Sequence, residues 1–178
     1  LYAEESIDTT NEAMPSIATM TDYALTKLSQ DEEGFFLMVE GAQIDDFAEK
    51  NNLEMELHEL YEFDCAVAVA KRYVEEHPDT VLIVTADHET GGVSIGEGKD
   101  WRPEIIDWPM LEKHWFESGE KNVLSYEENR EMNKKALIGW TSSHHTAARV
   151  PAFAIGKGAE RFHGIIENTD IKGKILGE

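Results

Sequence analysis

Three short stretches of this sequence hold most of its chemically capable side chains. Glu40-Gly41-Ala42-Gln43-Ile44-Asp45 runs on through Asp46 to Glu49, Asp87-His88-Glu89 follows a run of aliphatic residues, and His144-His145 precede Val150-Pro151. Carboxylate oxygens suit a hard ion such as magnesium, whereas mixed imidazole and carboxylate sets suit zinc. Both kinds of donor are present, so these residue types direct attention to divalent-metal chemistry.

Side chains scattered over a hundred residues need elements to gather them. Val81-Leu82-Ile83-Val84-Thr85 is bounded by His77-Pro78-Asp79 and Gly91-Gly92, and no polar residue alternates through it. That pattern predicts a fully buried, parallel strand. Ligands in open α/β sheets bind at the carboxyl ends of such strands, which is where Asp87 and His88 would stand. By itself the stretch fits equally well a turn capped by Asp87 with a half-exposed loop histidine.

Phe35 to Val39 is a second apolar run that ends on an acid, Glu40. Pro15 followed by Ile17, Met20, Ala24 and Leu28 predicts a helix over 16–29. Leu60, Phe63, Val67, Ala70 and Val74 predict a long helix, with Asn51 and Glu54 as a capping pair at its entry. Strand, helix, strand in that order is a βαβ unit, which predicts a parallel sheet with a right-handed crossover. Val150 to Gly156 reads as a third strand. The expected fold class is α/β, a mostly parallel central sheet flanked by helices, within one partial domain over 1–178. Residues 96–135 hold three of the four tryptophans and read as an insertion or excursion covering a site or a subunit contact, with a helical signal near Tyr126 to Leu137.

Bulk properties narrow the function. With 36 acidic and 16 basic residues the formal charge is −20, which disfavours nucleic acid and anionic membrane surfaces as partners. An acidic chain can still handle an anionic substrate if metal ions reverse the local field. Cys65 is the single cysteine, so an internal disulfide and a cysteine-rich zinc module are both excluded. No apolar run reaches the roughly 20 residues of a membrane span, and no signal-peptide pattern is present. The chain opens on Leu1-Tyr2-Ala3, and the expectation is a piece of something longer.

Four motifs, in this order, resemble the carboxyl-terminal half of the alkaline phosphatases. They are Phe36-Leu37-Met38-Val39-Glu40-Gly41-Ala42-Gln43-Ile44-Asp45, Phe63-Asp64 with Ala66-Val67, Thr85-Ala86-Asp87-His88-Glu89-Thr90-Gly91-Gly92, and His145-Thr146 before Val150-Pro151. Pro15 to Thr21 resembles the family's helix before the first of these strands. The resemblance implies hydrolysis of phosphate monoesters through a phosphoserine intermediate, with two zinc ions and one magnesium ion. It implies Glu40 as a magnesium ligand, Asp45 and His145 as ligands of one zinc, and Asp87 and His88 as ligands of the other. It further implies an extracytoplasmic location, periplasmic or secreted, and leaves a homodimer open.

Two departures from the family pattern matter. The nucleophilic serine belongs to the family's amino-terminal half, so no catalytic residue is assigned in this chain, and Ser94, Ser142 and Arg149 are not promoted to replace what that half supplies. The missing half is therefore an expected partner, and the isolated chain is expected to be inactive. Glu49, four residues after Asp45, stands where a histidine ligand is usual, and is expected to supply an oxygen to the metal instead. Two other readings stand beside the phosphomonoesterase: a metal-binding or interaction protein of the same fold with impaired catalysis, and a phosphodiesterase or sulfatase of the wider superfamily.

Other polar residues read more simply. His58-Glu59-Leu60-Tyr61-Glu62 ends on an acid where a zinc-protease helix needs a second histidine, so that chemistry is rejected. His77, His114 and His163 read as surface or packing residues. His144 is left as a residue supporting the ligands or without a role, because neighbours in an extended segment point opposite ways.

Overall fold

The computed structural model describes residues 14–96 and 126–178, so most of the expected insertion lies outside the described residues. The chain divides into two compact units. One comprises Leu1–Ser16, Glu40–Glu62 and Thr90–Thr146, the other Ile17–Val39, Phe63–Glu89 and Ala147–Glu178.

The second unit opens with helix α1, Ile17–Leu28. Its buried line is Ile17, Thr21 and Leu25, spaced by four so that all three share a face. That line lies one position round from the one the apolar pattern suggested. A threonine can hold the middle of it because Thr21 Oγ1 donates to the Ile17 carbonyl at 2.8 Å, which removes the cost of burying an unpaired hydroxyl.

The long helix is present as α3, Leu53–Glu76, and most of it belongs to this unit. Tyr73 packs edge-on against Phe35, centroids 5.9 Å apart, and stacks on His77 at 3.9 Å. His77 Nδ1 lies 2.8 Å from the Tyr73 carbonyl. That histidine has the packing role expected of it.

The expected parallel sheet is not what forms. Strand β1, Val81–Thr85, pairs antiparallel with the last strand, Ala152–Gly156, from Val81 opposite Gly156 to Thr85 opposite Ala152. No strand is assigned over 35–39. Phe36 and Met38 within that stretch are each 73% exposed, and the βαβ unit is absent among the described residues. Nor is β1 fully buried, since four of its five residues are only half-buried and Thr85 is exposed. The reason is physical. An apolar run specifies that a strand wants cover, but direction and partner depend on which distant segment returns beside it.

Gly156 shows how closely that segment returns. Its φ is +93° and a Cβ there would sit 2.1 Å from the Thr80 carbonyl oxygen. The next residue, Lys157, donates its N–H to the same carbonyl at 3.0 Å, and its ammonium meets Asp79 at 2.9 Å. The unit ends in a short helix, Ile171–Leu176.

The first unit contains α2, Gln43–Glu49, the first turns of α3, and a helix at Tyr126–Lys135, as the sequence pattern suggested. Short strands accompany them. Strand β2, Glu89–Thr90, pairs with His145–Thr146, and β3, Ser94–Ile95, pairs antiparallel with Ile138–Gly139. Numbered in chain order, Tyr126–Lys135 is α4, Ile138–Gly139 is β4, His145–Thr146 is β5 and Ala152–Gly156 is β6.

The entry to α3 is capped one residue later than expected. Asn52 Oδ1, not Asn51, accepts from the Met55 N–H at 3.2 Å. Asn51 takes the left-handed conformation, φ +50°, that ends α2.

Glu54 lies in the first turn of α3 and is 1% exposed. Among the described residues neither of its carboxylate oxygens has a hydrogen-bond partner. Burial, with a smaller contribution from the negative charge of Glu128, pushes its carboxyl up from the ordinary 4.5 to about 7. A raised carboxyl binds its proton more tightly in the fold than in the unfolded chain. Stability therefore falls as pH rises from 4.5 to 7 and stays lower above it, by on the order of 2–3 kcal/mol. Glu54→Gln removes the ionisation while keeping the shape. Urea unfolding at pH 5 and pH 8 should show the variant more stable than the parent at pH 8 and much less sensitive to pH.

Candidate metal centre

Helix α2 places Asp45 and Glu49 one turn apart, so both carboxylates rise from the same face. Asp45 also lies in the first turn, where the helix dipole favours an anion. Strand β5 brings His145 to them. Its Nε2 is 3.5 Å from Asp45 Oδ1 and 4.0 Å from Glu49 Oε1. The second histidine, His144, sends Nδ1 to within 3.8 Å of the same Glu49 oxygen. Side-chain exposure of 52% at His145 and 38% at Asp45 leaves the group open to a small ligand.

Local folding explains why these elements meet. Gly91 follows β2 with φ +80°, and a Cβ there would lie 2.6 Å from the Trp140 ring and 3.0 Å from the Ala48 carbonyl of α2. Only a residue without a side chain lets β2 pass between them. Gly91 N–H donates to the His144 carbonyl at 3.1 Å, and its own carbonyl accepts from Thr141 and Ser142 N–H at 2.9 and 3.0 Å. From the other side, the Asn51 amide donates to the Ser142 carbonyl at 2.8 Å. Asn133 in α4 donates to the Asn51 carbonyl at 3.1 Å. The end of α2 and the strand bearing His145 are thus stitched together by main-chain and amide bonds.

Thr90, immediately before Gly91, is buried and donates its hydroxyl to Asp45 Oδ1. Sequence reasoning did not single it out. Its contact with Asp45 joins residues 45 apart in the chain, and no local sequence signal marks it.

The donor set fits a divalent metal. Tetrahedral zinc with ligands at 2.0–2.1 Å holds their donor atoms about 3.3 Å apart, close to the 3.5 Å between Asp45 and His145. Two carboxylates facing one imidazole also supply the negative charge that a dication neutralises.

In the second unit, Asp87 and His88 follow β1. His88 Nε2 lies 3.4 Å from Asp87 Oδ2, and the His88 N–H donates to Asp87 Oδ1 at 3.2 Å. Asp87 is 89% exposed. Glu40 is exposed just after the apolar run 35–39, five residues before Asp45. The rejected stretch at 58–62 is an ordinary part of α3, where burial lowers the His58 imidazole against the opposing pull of Glu62.

Comparison with known proteins places the chain in a family. The family model described as alkaline phosphatase matches residues 3–176. Alkaline phosphatase 4 of Bacillus subtilis is 34% identical over 192 residues, covering 88% of this chain and 42% of that protein. Streptomycin-6-phosphate phosphatase of Streptomyces griseus is 37% identical over 142 residues, covering 80% and 28%. Among solved structures, a cold-active alkaline phosphatase from a psychrophilic Shewanella superposes with a TM-score of 0.76 at 29% identity, covering 97% of this chain and 51% of that one. The chain thus spans about half or less of the length of these relatives, and it belongs to the alkaline phosphatase family.

Proposed function

We propose that this chain supplies the carboxyl-terminal metal ligands of a metal-dependent phosphomonoesterase, with a nucleophilic serine that lies outside these 178 residues. The observation that carries the reading is the approach of Asp45 and His145 to within 3.5 Å in a chain of this family. Asp45, His145 and Glu49 would hold one zinc, Asp87 and His88 a second, and Glu40 a magnesium. A bound dication acts as a Lewis acid on the phosphoryl oxygens and stabilises the charge that develops on them.

The chain's own residues do the rest. Asp45 and Glu49 keep a fixed helical spacing, so the two oxygens approach the imidazole as a unit. His145 presents Nε2 from a strand whose backbone is tied to Gly91. A chain of net charge −20 repels a phosphate monoester, and this ligand set recruits the positive charge that reverses the field locally. Glu49 brings an anion where the family pattern has a neutral imidazole. That lowers the effective charge of the first metal and favours harder ions such as magnesium or manganese there. Separately, a variant of TAB5 alkaline phosphatase whose structure carries magnesium in its M3 site supports a magnesium ion among the metals of this reading.

An extracytoplasmic location and a homodimer belong to the same reading. Among the described residues no helix is long and apolar enough to cross a membrane. The alternative of a fold-sharing protein with impaired catalysis draws on one observation, the 3.8 Å approach of Glu49 to His144, which competes with its approach to His145.

The test is aryl phosphate hydrolysis, with and without chelator. The chain alone should show no turnover, because a phosphoserine route has no path without its nucleophile. Joined to a nucleophile-bearing half of the family, it should turn over the monoester in a chelator-sensitive way. Chelator-sensitive turnover by the chain alone, or a preference for diesters in the joined protein, would refute the reading.

A further inference from the structure

We propose that Thr90 is a positioning residue for the first metal site, acting through Asp45; the inference rests on the reading that Asp45 is a metal ligand. The hydroxyl of Thr90 donates to Asp45 Oδ1, the oxygen that also faces His145 Nε2 at 3.5 Å. Thr90 is 9% exposed, and Asp45 is half-buried beside it.

A carboxylate on a short side chain rotates over a broad range about its last torsion. Held by a hydroxyl at one oxygen, it keeps a single plane and presents its remaining lone pairs in one direction. The ordering is completed as the protein folds and is not repeated when a cation arrives. Threonine suits the task because its branched side chain is stiff and because its backbone is held on both sides. Strand β2 pairs with β5, the strand of His145, and Gly91 follows with its N–H on the His144 carbonyl. One short segment therefore references the acid of α2 to the histidine of β5. A serine would keep the hydrogen bond and lose some stiffness. A valine would keep the shape and lose the bond.

The experiment measures zinc affinity of the purified chain by competition with a chromophoric chelator, a readout independent of turnover. Thr90→Val should bind zinc about 10–100-fold more weakly, the range usual for partners of ligating groups. Thr90→Ser should stay within about threefold of the parent. Asp45→Asn should weaken binding strongly, and adding Thr90→Val to it should change little further, since both act through one carboxylate. If Asp45→Asn leaves affinity unchanged, the metal reading itself fails. If Asp45→Asn weakens zinc but Thr90→Val binds like the parent, the metal reading survives and the role of Thr90 is overturned. Equal losses in Thr90→Ser and Thr90→Val would make Thr90 a packing residue only. Should the valine variant not fold, Thr90→Ala is compared with Thr90→Ser, which differs from it by the hydroxyl alone, and equal zinc affinity of the two overturns the proposal.

Discussion

Alanine at His145 is expected to lower turnover of an aryl phosphate by at least about a thousandfold in the protein joined to its nucleophile-bearing half, with Asp45→Ala similar. Lewis-acid stabilisation by a bound metal is worth several kcal/mol, and each 1.36 kcal/mol is tenfold in rate, so roughly 4 kcal/mol yields that factor. The loss should appear in kcat/KM together with reduced zinc content after dialysis. Folding should be little affected in His145→Ala, whose side chain is 52% exposed, whereas Asp45→Ala also leaves the buried Thr90 hydroxyl without its acceptor and should lose about 1–3 kcal/mol of stability. Thermal melting of the metal-free variants separates the two effects. Activity within tenfold of the parent, with zinc retained, would mean that the pair on α2 and β5 does not hold the catalytic metal.

The second large effect concerns folding, not chemistry. Gly156→Ala should destabilise the protein by about 2–5 kcal/mol, combining the cost of a side chain in the left-handed region with overpacking against backbone. The new Cβ would sit 2.1 Å from the Thr80 carbonyl and 2.8 Å from Val74 Cγ1. A carbonyl cannot swing aside as a flexible side chain can, and this one already accepts from the Lys157 N–H. Relief therefore requires β6 to move away from β1, at the end of their pairing where Val81 faces Gly156. Urea unfolding followed by far-ultraviolet circular dichroism reads the loss. By contrast, Gly34→Ala meets no atom within 4 Å and carries only the conformational cost of its φ of +91°, so it should lose distinctly less. Equal losses at the two positions would show that the close approach to Thr80 is relieved without cost.

Amino-acid order by itself determined much of the local structure. Helices α1 and α3 follow from apolar spacing and helix-start signals, since a repeat near 3.6 residues is written along the chain. Helix α2, by contrast, falls in a stretch that reads as an acidic loop, so the shared face of Asp45 and Glu49 came from the structure, while the four family motifs point to the proposed ligands because residue identity is local. Only the tertiary structure decided what those residues meet. β1 and β6 pair antiparallel where a parallel sheet was expected, because composition records the need for cover and not the direction of the partner that provides it. The hydrogen bond from Thr90 to Asp45 joins residues 45 apart in the chain, and that from Asn51 to Ser142 joins residues 91 apart. No local pattern encodes either. Glu54 reads from sequence as half of a capping pair with Asn51, and its burial at 1% exposure depends on neighbours that only the folded chain brings to it. Periodicity is local and survives in the sequence. Register, direction and burial are set when distant segments compete for the same neighbours, and that competition is resolved only in three dimensions.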